Sequence, residues 1–232
     1  MPGGWRMMPA EAVRYDGSCR VAIPPEAGRL LLGHIAELQE PLFPEEAEHI
    51  RRAVDKRRRE FCAGRILARQ ALCRLGLTQP GALPVREDRV PEWPAGFLGS
   101  IAHTDRFCAC AVARRAAIRS VGIDLETCGQ VKPELWDQLF CAAEKEKLLA
   151  VEDKQLFLAT LMFCAKEAFY KLQYTLTSAW LGFTDVTVVV DGQDRLMVTP
   201  AEGTPAAKAV PFMRGSYSQP FPDTVMCQCW LV

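Results

Sequence analysis

Asp124 and Glu126 stand two residues apart in the run Val121-Gly122-Ile123-Asp124-Leu125-Glu126. About forty residues later, Phe163-Cys164-Ala165-Lys166-Glu167-Ala168-Phe169-Tyr170-Lys171 supplies a third carboxylate and two lysines. The first run has strand character, so Val121, Ile123 and Leu125 face a core while Asp124 and Glu126 project together from the other side. Gly122 shares that side and marks a close approach by backbone or ligand. The second run is helical. Three carboxylates brought together from a strand and a helix make a hard, oxygen-rich site suited to Mg²⁺, or to Mn²⁺ in its place. Lys171, one turn beyond Glu167, adds positive charge where a phosphate could sit. The chemistry this implies is phosphoryl transfer.

The elements that position these groups carry two further anomalies. A helix expected from Asp153 to Tyr174 is apolar nearly all round, the mark of a buried helix, so Glu167 has little room to be a solvated acid. A Glu167–Lys171 pair, worth only ~0.2–0.5 kcal/mol on an exposed helix, would not justify burying both charges. A second long helix is expected from Pro44 to Leu75, opened by Glu45-Glu46 and closed by Gly76. Its apolar stripe is Val54, Phe61, Ala68, Leu72 and Leu75, and Arg65 falls inside it. An arginine on a packing face binds an anion or a buried acid. His103 follows Ser100-Ile101-Ala102 at a strand-to-turn junction, where functional loops begin.

Composition narrows the possibilities. The 232 residues carry 28 basic and 28 acidic side chains, so no whole-molecule field favours nucleic acid or an anionic membrane. Basic charge is local, in Arg51, Arg52, Lys56, Arg57, Arg58, Arg59, Arg65 and Arg69. No apolar run approaches the ~20 residues that span a bilayer, and the start lacks a secretory pattern, so the chain reads as cytoplasmic. The ten cysteines contain no CxxC pair and make no metal spacing with His34, His49 and His103. They read as small buried fillers with free thiols.

Along the chain, residues 1–43 read as loops with one strand at the Leu30–Leu32 run. Gln79 to Gly96 is broken by five turn-forming prolines and glycines. Strands are expected at Gly99–Ala102, Phe107–Ala113, Ser120–Glu126, Val186–Val190, Leu196–Thr199 and Val225–Leu231, with loops around Gly192, Gly203 and Pro220. Leu135 to Ala150 reads as helix in two pieces. The order suggests two α+β lobes joined near Arg114–Ser120.

Together the two motifs resemble the signature pair of the 4'-phosphopantetheinyl transferases, V-G-[IVL]-D-x-E followed by [WF]-x-x-K-E-A-x-x-K, both met without gaps. Lys56-Arg57-Arg58-Arg59-Glu60-Phe61 with Gly64-Arg65, and Gly99-Ser100-Ile101-Ala102-His103, resemble the coenzyme A-contacting segments of the two-lobed members that prime siderophore, polyketide and nonribosomal peptide synthetases. Trp180-Leu181-Gly182-Phe183 is similar to the enterobactin-type members. The resemblance implies an α+β fold of two similar lobes, residues 1–116 and 117–232, forming a pseudo-dimer with the active site in the cleft. It implies Asp124, Glu126 and Glu167 as Mg²⁺ ligands. It also implies Arg57, Arg65, Arg86, Ser100, His103, Lys166 and Lys171 as contacts to coenzyme A. The general base would be Glu167 or a water held by Glu167 or the metal, with Lys171 stabilising the departing phosphate. The partner would be an acyl or peptidyl carrier protein, met by a monomer that binds neither nucleic acid nor membrane. From the residues alone, a Mg²⁺-dependent phosphohydrolase acting on a small nucleotide is the alternative; zero net charge counts against a nuclease.

Overall fold

Apolar residues at alternate positions build two antiparallel sheets, and the buried stripes of two long helices cover their outer faces. A computed structural model describes residues 26–191 and 194–232. The first sheet has the order β1 (Gly28–His34), β3 (Phe107–Arg114), β2 (Phe97–His103). The second has the order β4 (Ser120–Thr127), β8 (Thr224–Leu231), β7 (Met213–Ser218), β6 (Arg195–Pro200), β5 (Val186–Asp191). Helices α1 (Pro44–His49) and α2 (Asp55–Arg74) precede β2. Helices α3 (Trp136–Leu139), α4 (Ala142–Leu149) and α5 (Gln155–Thr177) follow β4, and α6 (Pro205–Ala209) precedes β7. The architecture is α+β.

The period-two pattern of β3 sets the layering. Cys108, Cys110 and Val112 pack with Ala63, Ile66, Leu67 and Leu72 of α2. Ala109, Ala111 and Ala113 point the other way and meet Val121, Ile123 and Leu125 of β4. Alanines on this inner face let the two sheets approach closely. Beyond β4, the outer face of the second sheet, with Val225, Cys227 and Cys229, packs on Leu161, Ala165, Ala168 and Leu172 of α5. Helix, sheet, sheet and helix are therefore stacked in that order, each burying the apolar face of its neighbour.

Two expectations are corrected. The segment 44–75 is not one helix: it breaks between His49 and Asp55. Val54 takes an extended conformation and is 71% exposed, outside the apolar stripe assigned to it. Arg58 caps the break by donating to Ala53 O at 2.9 Å and Arg51 O at 2.5 Å. The break frees α1 to turn Glu46 inward onto Arg69, 2.7 Å away, with both side chains fully buried. The second correction is β7, which occupies a stretch expected to be loop. Its sequence Met-Arg-Gly-Ser-Tyr-Ser lacks apolar alternation, and Gly215 is needed there because a Cβ would lie 2.8 Å from Gln228 O. The loop at Gly192, Cys19 and the first 25 residues of the expected N-terminal lobe lie outside the described residues. The nine described cysteines are free thiols, and Cys108, Cys110, Cys227 and Cys229 are buried. Among the described residues no helix is long and apolar enough to cross a membrane.

Candidate active site

β2 and β4 each form an edge of their sheet, and side chains rather than a ladder join them. Ser100 Oγ on β2 accepts from Ile123 N at 3.1 Å, while Ile123 O accepts from Lys171 Nζ at 3.2 Å. The Ile123 peptide thus fixes an α5 lysine beside the β4 carboxylates. Gly122 makes this possible. A Cβ there would lie 1.9 Å from Ala168 O and 2.8 Å from Leu172 N, so only glycine lets α5 rest on the strand. Ser120 Oγ secures the contact by hydrogen bonding Leu172 O at 2.7 Å.

Lys171 Nζ donates to Asp124 Oδ1 at 2.6 Å and makes no ion pair with Glu167. The helix-internal Glu167–Lys171 pair weighed from the sequence does not form. The second oxygen of Asp124 is buried without a donor among the described residues. Burial, and then the Asp124 charge, push the Glu126 carboxyl up to about 8. Burial and Asp124 likewise raise Glu167, with Lys171 pulling the other way. Burial works to lower Lys171, but Asp124 and Glu167 outweigh it and hold the ammonium above its ordinary value.

Three acids around one lysine are short of positive charge, and an orphaned buried carboxylate oxygen is costly. By charge and ligand hardness these residues fit a divalent cation. Their side chains are not drawn into a tight cluster: among the described residues no set of three or more His, Cys, Asp or Glu is placed to hold a metal as it stands. Asp124 Oδ1 is engaged by Lys171.

Beside this group opens a cavity of about 870 Å³, lined among others by Arg57, Arg65, Arg86, Ser100, His103 and Lys171. That volume lies near the top of the ~300–1,000 Å³ range of small-molecule sites and suits an extended ligand. Arg57 donates to His103 Nε2 at 2.9 Å, so the imidazole proton sits on Nδ1. Glu60 lies 3.5 Å from Arg57 and 3.7 Å from His103. Burial holds His103 below its ordinary value, Glu60 opposing and Arg57 assisting. Arg65 is 4% exposed and donates Nε to Leu83 O at 2.7 Å, its guanidinium 4.1 Å above the Phe61 ring. Burial lowers its pKa to about 10, and it has no ion pair among the described residues. Arg86 forks onto Asp88 at the cavity wall.

Lys166 does not join these residues. It is 2% exposed and donates to Leu139 O at 2.8 Å, Glu144 Oε2 at 2.7 Å and Phe183 O at 2.8 Å. The expected coenzyme contact is corrected: with all three donor positions met inside the protein, Lys166 is an interior clamp. Sequence reasoning also missed Glu60 as the acid between Arg57 and His103. Its (i, i+3) spacing from Arg57 was the available signal.

Two family models match the chain, the 4'-phosphopantetheinyl transferase N-terminal domain over residues 45–113 and the 4'-phosphopantetheinyl transferase superfamily over residues 120–214. The chain is 40% identical over 151 residues to the 4'-phosphopantetheinyl transferase Npt of Nocardia iowensis, covering 65% of this chain and 67% of that protein. It is 40% identical over 150 residues to the 4'-phosphopantetheinyl transferase PptT of Mycobacterium tuberculosis, covering 64% and 65%. Enterobactin synthase component D of Shigella flexneri is 31% identical over 175 residues, 75% of each chain. The chain therefore spans about two thirds of the length of the first two relatives and three quarters of the third. It belongs to the 4'-phosphopantetheinyl transferase superfamily and is an enzyme of that transferase class.

Proposed function

We propose that the protein transfers the 4'-phosphopantetheine group of coenzyme A to a serine hydroxyl of an apo acyl or peptidyl carrier protein, releasing adenosine 3',5'-bisphosphate. The observation that carries this reading is one cavity that has Arg57, Arg65 and His103 on its walls together with Lys171, whose ammonium reaches Asp124. An extended donor with a phosphorylated nucleoside at one end and a pyrophosphate at the other matches that distribution of charge. In this reading the two lobes are residues 1–116 and 117–232, related as a pseudo-dimer with the donor in the cleft.

Arg57 and Arg65 offer guanidinium forks to the 3'-phosphate, and neutral His103 keeps its Nδ1 proton for donation. Arg86, once released from Asp88, reaches the same ligand from the cavity wall, and Ser100 keeps β2 in register with β4. Asp124, Glu126 and Glu167 would hold Mg²⁺. Bound there, the ion would neutralise pyrophosphate charge and favour in-line displacement.

The serine proton must leave during attack, and Glu167, or a water held by Glu167 or the metal, is the base, while Lys171 would stabilise the charge that grows on the departing phosphate. The setting is a cytoplasmic monomer serving siderophore, polyketide or nonribosomal peptide synthetases. The test is incubation with coenzyme A, Mg²⁺ and an apo carrier protein, followed by intact-mass measurement. A gain of one phosphopantetheine on the carrier serine is expected. Phosphate release with no change in carrier mass would instead make the enzyme a hydrolase.

A further inference from the structure

Glu46 belongs to neither motif, yet its carboxylate is fully buried and takes hydrogen bonds from three separate segments. Oε2 accepts from Phe43 N at 3.1 Å, an ordinary way to finish the first turn of a helix. Oε1 accepts both from Arg69 at 2.7 Å and from Leu83 N at 2.8 Å. Arg69 contacts Glu46 through one nitrogen and lies over the Phe43 ring, while its Nε and other terminal nitrogen are buried without hydrogen-bond partners among the described residues. Glu46 thus shares a single oxygen between its counter-ion and the Leu83 peptide.

The other end of that residue explains the arrangement. Leu83 O is the acceptor for Arg65 Nε at 2.7 Å, and the Phe61 ring covers one face of the guanidinium. With Nε and one face fixed, the orientation of the Arg65 terminal nitrogens at the cavity is set. Leu83 lies in the irregular stretch between α2 and β2, where no ladder holds its peptide. Glu46 supplies that hold. We propose that Glu46 is a positioning residue for the 3'-phosphate subsite, acting through the Leu83 peptide to aim Arg65; this rests on the transferase reading above.

The test is calorimetric binding of coenzyme A and of dephospho-coenzyme A, which lacks only the 3'-phosphate, to the wild type, Glu46→Leu and Glu46→Leu/Arg69→Leu. The double variant replaces a buried ion pair by apolar side chains, a change proteins often tolerate, so it guards against unfolding of the single variant. The wild type is expected to prefer coenzyme A by at least about tenfold, the scale of one charge-assisted contact. Both variants should bring that preference within about threefold, chiefly by weakening coenzyme A binding and leaving dephospho-coenzyme A nearly unaffected. A merely structural role would weaken both ligands in parallel. Retention of the preference in a folded variant overturns the role of Glu46 and leaves the transferase reading standing. Equal binding of both ligands by the wild type overturns the 3'-phosphate subsite itself, and Glu46's role with it.

Discussion

Lys166→Met removes an ammonium that bridges α5, the end of α3, α4 and the segment leading into β5. Its loss leaves Leu139 O and Phe183 O without the donor they have, at about 1–3 kcal/mol for each buried acceptor. Glu144 keeps hydrogen bonds from Cys141 N at 3.0 Å and Val188 N at 2.8 Å but loses its Lys166 counter-ion. Against this, the native state no longer has to hold a desolvated ammonium, whose pKa burial drives down. The net cost expected for breaking a buried pair on one side is about 3–5 kcal/mol, a large part of the ~5–15 kcal/mol that stabilises a typical domain. Urea unfolding should show a lowered midpoint at unchanged slope. Lys166→Met/Glu144→Gln should recover part of the loss, because the amide oxygen still accepts and no charge remains uncompensated. A Lys166→Met protein within about 1 kcal/mol of wild type, with a raised KM for coenzyme A, would refute the clamp and restore the ligand contact.

Gly122→Ala should destabilise by at least about 3 kcal/mol and lower Tm steeply, because the new methyl meets helix backbone rather than a movable side chain; an unshifted melt would show that β4 and α5 can part without penalty. Glu126 has a folded pKa of about 8, above its unfolded value, so its stabilising effect is complete below about pH 4.5 and is lost as pH rises towards 8. Without divalent ions, Tm should therefore fall across that window, at most about 1.4 kcal/mol per pH unit, and Mg²⁺ should raise Tm more at pH 8 than at pH 6. A flat profile unmoved by Mg²⁺ would sink the carboxylate cluster. Glu167→Gln should cut turnover by about 10²–10⁴ while coenzyme A binding measured without divalent ions changes little by calorimetry, and near-normal turnover would remove Glu167 as the base.

Much of the site was legible because its residues obey simple periods. Alternation in Val121–Glu126 placed Asp124 and Glu126 on the side opposite the core, and Gly122 foretold the backbone contact with α5. Long-range pairing was hidden. Nothing local to Lys166 reveals that Glu144 lies within reach, and nothing in the Lys56–Arg59 run reveals that α1 must break away to carry Glu46 to Arg69. Helical spacing put Val54 on an apolar stripe because periodicity does not register a break between two helices. β7 escaped notice since its core-facing row is Met213, Gly215 and Tyr217, whose middle member is a glycine that fits beside β8 and breaks the apolar alternation.

The position of β8 in the second sheet has a consequence for biosynthesis. β4, bearing Asp124 and Glu126, finds its ladder partner about 100 residues further along the chain, with β5, β6 and β7 made in between. The first sheet needs no such wait, since β2 and β3 are joined by a tight turn and β1 precedes them. During synthesis, at about 5–20 residues per second, the N-terminal sheet and α2 can consolidate and receive Val121, Ile123 and Leu125 on β3, while β4 still offers an unpaired backbone edge. The strand bearing Asp124 and Glu126 is among the early parts of the second sheet to be made and can be completed only after β8 has been.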